Sequence, residues 1–270
     1  MASLWLRITT ILLLVFVVKS TPELVVNVRS KSGSITQQEF ESFPDRGLVA
    51  VSYNLYDYRF VDILLDFNKK LQIFKTVILG EIDLAENPYE TTCFAIPLLD
   101  DEYISPDVMS KLRQKNPNTV RIPEIDLGTQ EIVLDHSVQI SKARYMNENV
   151  RKLCGDVDVV HVSGEDLYSL FDSNSSKAVD KGDAVQNLTA TLGTKKRCNI
   201  ISESNKPCIC RLPLCLSWYP CDVKYCHKDS VDGSKREEFR CGIKSCGKCR
   251  DFDYLVSGKS NCFWDDRLKS

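Results

Sequence analysis

The chain runs to 270 residues with 35 Lys and Arg against 37 Asp and Glu, a formal net charge of -2, and it carries 12 cysteines. This balance predicts neither a nucleic-acid footprint nor a trap for acidic substrates, so no nucleic-acid partner is expected. The length leaves room for one large or two modest domains.

At the N-terminus, Arg7 precedes an apolar run from Ile8 to Val18, and Val18-Lys19-Ser20 puts a small residue where a cut would fall. The pattern reads as a secretory signal peptide over 1–20, with an uncleaved type II anchor as the alternative. A spanning helix needs about 20 apolar residues, and the charge of Lys19 comes too early for one. No later segment is apolar enough to span a bilayer, so no stable membrane span is expected after signal removal. Secretion implies an oxidising route, on which cysteines end as disulfides.

The first half, 21–172, holds only Cys93 and Cys154 and reads as α+β. "PELVVNVRS" and "GLVAVSYNLYDYR" are rich in β-branched and aromatic residues and predict strands. "FVDILLDFN" and "LQIFKTVILG" predict a hairpin turning at Asn68-Lys69-Lys70, and "ETTCFAIPL" another strand. In "SPDVMSKLRQKNP", Ser105 suits an N-cap, Pro106 the first helical position and Asn116-Pro117 a stop, so a helix is expected there. "VQISKARYMNENVRKLCG" predicts a second helix: Ala143, Met146, Val150 and Leu153 recur at helical spacing and Gly155 sits at the C-cap. "DVDVVHV" returns to strand. Cys93 and Cys154 are the only candidates for each other in this half. Closing their loop of about 60 residues stabilises the fold by up to roughly 4 kcal/mol.

The polar segment 173–197 reads as a linker. It holds two glycosylation sequons, at Asn174 and Asn187. Lys195-Lys196-Arg197 reads as a charged linker end, with a processing site as the alternative.

From 198 to 270 there are ten cysteines: Cys198, Cys208, Cys210, Cys215, Cys221, Cys226, Cys241, Cys246, Cys249 and Cys262. This density marks a disulfide scaffold. A zinc site would need paired C-x-x-C spacing, but Cys208 and Cys210 are too close and Cys221 and Cys226 too far apart. Cys246-Gly247-Lys248-Cys249 has redox spacing without the βαβ setting that such a motif needs. No metal and no cofactor are expected. Five disulfides is the reading that remains, and their connectivity is open, since ten cysteines allow on the order of 900 pairings. Cys208 and Cys210 are expected on opposite faces of an extended segment, bridging different partners. A domain this small buries little, so staples take the place of a core, and little regular structure is expected.

The texts "LLDF", "KLQIFK", "TTCFAIPL" and "KLCGDVDVVHV", with one Asp and two spaced Cys in order, resemble a BRICHOS domain over roughly 24–162. The resemblance implies a central sheet of about five strands with a helix on each side, a Cys93–Cys154 bridge and an acidic position at Asp66. Two readings of Asp66 stand: it opens a hairpin turn and accepts backbone hydrogen bonds, or it lies on the sheet face as a charge-sensitive group. "KPCIC", "LSWYPCDVKYCH", "CGIKSC", "DFDYLV" and "CFWDD" are similar to the C-terminal region of the Out at first proteins, and "SKLRQKNP" matches them as well. That resemblance spans almost the whole mature chain. It further implies that Cys215 and Cys249, absent from vertebrate relatives, pair with each other.

Functional expectations follow. His136, His161 and His227 are the only histidines, and no nucleophile motif, phosphate loop or metal triad is present, so the chain is read as non-enzymatic. The first reading is a secreted extracellular interaction or developmental signalling-associated protein with a disulfide-rich recognition domain. The alternative is an extracellular chaperone whose BRICHOS-like groove holds apolar, β-prone peptides. Either way the expected partner is an extracellular protein or peptide.

Overall fold

A computed structural model describes residues 24–55, 58–81, 83, 87–171, 183–229 and 236–262. The signal segment 1–20, the sequon at Asn174 and the aromatic pair Phe263 and Trp264 lie outside the described residues. The strands of the first half are β1 (Leu24–Arg29), β2 (Ile35–Phe43), β3 (Leu48–Leu55), β4 (Arg59–Asp66), β5 (Leu71–Leu79) and β6 (Tyr89–Pro97). After them come helix α1 (Pro106–Met109), β7 (Val120–Arg121), β8 (Ile125–Val133), β9 (His136–Gln139), helix α2 (Glu148–Cys154) and β10 (Val159–Val162). β11 (Val185–Asn187), helix α3 (Thr189–Leu192), β12 (Cys208–Asp229) and β13 (Arg236–Val256) complete the regular structure.

These strands form a ten-stranded mixed sheet in the order β11-β9-β10-β6-β5-β4-β3-β2-β1-β7, and a three-stranded sheet in the order β12-β13-β8. β1 through β6 pair as consecutive antiparallel neighbours, while β10 runs parallel to β6 and β7 parallel to β1. Sequence pattern explains the centre. In β5, Leu71 and Ile73 face one side and Phe74 and Ile78 the other, and all four are buried. A strand covered on both faces reads as a nearly continuous apolar run.

The BRICHOS-like expectation, a sheet flanked by two helices, is overturned. Helices α1, α2 and α3 span only 4, 7 and 4 residues. The helix expected over 105–117 ends at Met109. Beyond it the Arg113 guanidinium takes the carbonyls of Ser110 and Leu112 at 2.8 and 2.7 Å, acceptors that a continuing helix would need. The helix expected over 138–155 survives only from Glu148. Val138 and Gln139 are drawn into β9, and Asn147 starts the helix afresh, its Oδ1 accepting from Asn149 N and Val150 N. Ala143, Met146 and Val150 are buried as a helical face would be, but a turn brings the first two in. Ladder pairing outweighed helical periodicity.

The second half is also unlike the expectation of little regular structure. β12 and β13 form one long hairpin with register shifts near Leu216, Pro220 and Lys224. Along β12 the even positions Cys208, Cys210, Leu212, Leu214, Leu216 and Trp218 are buried, a period-two pattern. Cys208 and Cys210 therefore share a face, contrary to the expected opposition, because residues two apart in a strand point the same way. They bridge different partners, Cys198 and Cys262. Cys215–Cys249, Cys221–Cys246 and Cys226–Cys241 are rungs across the hairpin, and Cys93–Cys154 ties β6 to the end of α2.

The hairpin lies over one face of the large sheet. Phe252 stacks on Phe94 at 4.7 Å between ring centroids and meets Phe74 at 5.2 Å, and Trp218 sits edge-on to Phe40. One apolar cluster therefore joins both halves. A second, under α2 on the other face, joins Leu71, Ile73, Val138, Val150 and Val160. The groove between a sheet and a movable helix that the chaperone reading required is filled on both sides.

Candidate binding site

Two features where the hairpin leaves the sheet have the geometry of a recognition site. The first is a cleft of about 670 Å³. Leu24 and Val26 of β1, Leu112 and Trp218 line its depth, with Val223 and Ile243 from facing positions of β12 and β13. Its rim carries Lys111, Arg113, Arg121 and Arg240. Among the described residues none of these four cations is in an ion pair. The one carboxylate in the lining, Glu124, is engaged by Lys224 at 2.7 Å.

The second feature is the far part of the hairpin. Past Val223 and Ile243 the strands continue without a covering layer: Tyr225 is 51% exposed and Phe239 48%. Tyr225 lies opposite Arg240 on one face. Phe239 lies opposite Cys226 on the other, beside the Cys226–Cys241 bridge. The bridge holds this arm as a ribbon beyond the reach of the core.

A buried ionic cluster fixes the hairpin to the loop after β6. Glu102, in the loop after β6, accepts from Arg250 at 2.5 Å, Lys248 at 2.8 Å and Gln72 at 2.7 Å. Tyr103 donates to Gln72 at 3.2 Å. Burial opposes the charge on Arg250, but Tyr103 and Glu102 more than offset it, and its pKa is raised.

The residues singled out from sequence lie elsewhere. Asp66 is buried at the end of β4. Its Oδ1 accepts from the backbone N–H of Asn68 and Lys69 at 3.1 and 2.9 Å, and its Oδ2 from Asn149 Nδ2 at 2.7 Å. It thus opens a turn and also clamps α2 to the sheet. Asn187, in the segment read as linker, is the exposed last residue of edge strand β11, and its Oδ1 accepts from Thr189 N at 2.9 Å. Arg197 is held bidentately by Asp253 at 3.1 and 3.0 Å, Lys196 O accepts from Ile209 N, and Cys198 is bridged. A protease needs such a site extended and free, so this anchoring opposes cleavage after Arg197. His161 is packed between Phe94 and Tyr254, and burial pushes its pKa down to about 4. His136 Nδ1 faces Asp135 at 2.9 Å.

Sequence reasoning missed the cleft and the Glu102 cluster. Lys111 and Arg113 fall in the segment expected to be a helix, and nothing local links them to Arg121 or Arg240. The one available signal for the hairpin was the alternation of Cys and Leu along β12.

Among the described residues no helix is long and apolar enough to cross a membrane. All twelve cysteines are bridged, which fits an oxidising, extracellular setting. No solved structure matches the chain. Two family models do: "Out at first" over residues 22–170 and "Out at first, C-terminal" over 197–266. An Out at first protein of Drosophila virilis is 33% identical over 256 residues, covering 92% of this chain and 83% of that protein. One of Drosophila melanogaster is 32% identical over 254 residues; the match takes in 90% of this chain but 52% of that protein. Matched through most of the large sheet and through the braced hairpin alike, this chain belongs to the Out at first family.

Proposed function

We propose that the protein is a secreted, non-enzymatic recognition protein that engages an extracellular protein partner through the far arm of its hairpin, in a role associated with developmental signalling. The observation that carries this reading is the arm itself: a ribbon locked by Cys226–Cys241 that presents Tyr225 and Phe239 to solvent. Exposed aromatics on a rigid support supply contact area at low ordering cost, and such residues dominate binding energy at interfaces. The non-enzymatic part is supported by the structural use of two of the three histidines, His161 in ring packing and His136 against Asp135.

The test uses the full secreted chain, labelled, on cells of a tissue that binds it saturably. Tyr225→Ala with Phe239→Ala should weaken binding at least tenfold while leaving secretion and all six bridges intact. Unchanged binding by the double variant would remove the arm from recognition.

A further inference from the structure

The cleft beside the arm has a chemistry of its own. The apolar part of its lining is aliphatic, with Val108, Leu112, Ile122, Val223 and Ile243 around Trp218. Trp218 is buried edge-on against Phe40, so it offers no flat platform on which a sugar ring would stack. Four of its polar side chains are cations, beside Gln114, Ser245 and Glu124. Lys111 and Arg113 come from the segment after α1, Arg121 from β7 and Arg240 from β13. Three separate stretches of chain thus bring positive charge to one opening, and the only acid in the lining is already paired with Lys224. Unpaired like charges gathered around an apolar cavity repel one another, and an anion placed among them relieves that repulsion. A volume of about 670 Å³ lies within the range of small-ligand sites, roughly 300–1,000 Å³.

We propose that this cleft binds a monomeric single-chain anionic amphiphile, such as a long-chain carboxylate. The alkyl chain lies along Leu112, Val223 and Ile243, and the head group is held by Arg121 and Arg240. Arginine suits this role, since its planar fork takes a carboxylate or phosphate oxygen pair bidentately. The site is carried by charge and shape at the cleft; of the arm's side chains it uses Arg240 alone, and neither Tyr225 nor Phe239 is in its lining.

The test is displacement of 11-(dansylamino)undecanoate from the full secreted chain, below the aggregation threshold of each competitor. Oleate should displace the dye. Affinity should rise by about fourfold per methylene from octanoate to dodecanoate, the factor expected for burying a CH₂ group. Oleyl alcohol, which lacks the charge, should compete at least tenfold less well, and acetate not at all. Arg121→Gln with Arg240→Gln should cost tenfold or more in dye affinity, and Ile243→Asp should do the same, each with the six bridges retained. Phe239→Ala, on the face of the arm away from Arg240, should leave dye binding unchanged while weakening cell binding, which separates failure here from failure of the arm reading. Equal competition by the alcohol, no effect of the arginine variants, or association with anionic vesicles in place of the monomer would overturn the proposal. So would stronger displacement by an acidic, Leu-rich peptide than by oleate, which would assign the cleft to a peptide.

Discussion

Glu102 shows how one carboxylate can hold two halves of a chain together. It is buried with Arg250, whose side chain is only 2% exposed, and Lys248 completes the group. Removing one partner from a buried pair leaves an uncompensated charge, which costs about 3–5 kcal/mol. Glu102→Gln should therefore lower the urea midpoint by that amount of stability, and adding Arg250→Met should recover much of it. His161 makes a pH prediction. Its Nδ1 is buried without a hydrogen-bond partner among the described residues, and its pKa is lowered to about 4 from the ordinary 6.5 by burial. As pH falls below 6.5 the unfolded chain takes up this proton and the folded chain does not, so stability is lost from there down to about pH 4. His161→Phe should flatten thermal stability over that window relative to the parent.

At the scale of elements, the rungs of the hairpin are not equivalent. Cys226–Cys241 closes 15 residues, a loop for which the chain-entropy relation gives about 3 kcal/mol. It lies beyond the core, however, where opening is local. Cys226→Ser with Cys241→Ser should expose the arm to limited proteolysis between 224 and 241 while the melting midpoint of the body moves little. The sheet has its own exposed element. β11 is an edge strand, and Asn187 ends it. A glycan there would shield the edge from pairing with another chain. Asn187→Gln should remove one glycosidase-sensitive mobility step from the secreted protein and increase its self-association on storage.

For the whole molecule, the decisive fact is that the hairpin supplies one wall of the main core. Phe40, Phe74 and Phe94 are buried by Trp218, Phe252 and Tyr254. Expressed alone, residues 21–172 should bind a hydrophobic dye and aggregate, whereas the full chain should do neither. No disulfide crosses between the halves: Cys93–Cys154 lies in the first and the other five in the second. A chain cut within 173–182 should thus stay associated in native buffer and separate in urea without reductant. Association lost in native buffer would mean that the shared apolar cluster does not hold the halves.

Local information in the sequence was enough for the strands of β3 through β6, because β-branched runs and the Asn68-Lys69-Lys70 turn specify them over short distances. It also indicated the family and a disulfide-bonded second half. The extents of α1 and α2 were not legible, since Arg113 capture of carbonyls and the pull of Val138 into β9 are settled by partners distant in sequence. Cys93–Cys154 was legible as the one pair its half allows, and the family resemblance implied Cys215–Cys249; the other four bridges were not legible, since they require knowing how the second half folds on itself. The cationic cleft was hidden for the same reason. Lys111, Arg121 and Arg240 are unremarkable surface charges along the chain, and only the crossing of the hairpin over β1 brings them to one opening, because electrostatic sites are made by spatial proximity that sequence separation does not encode.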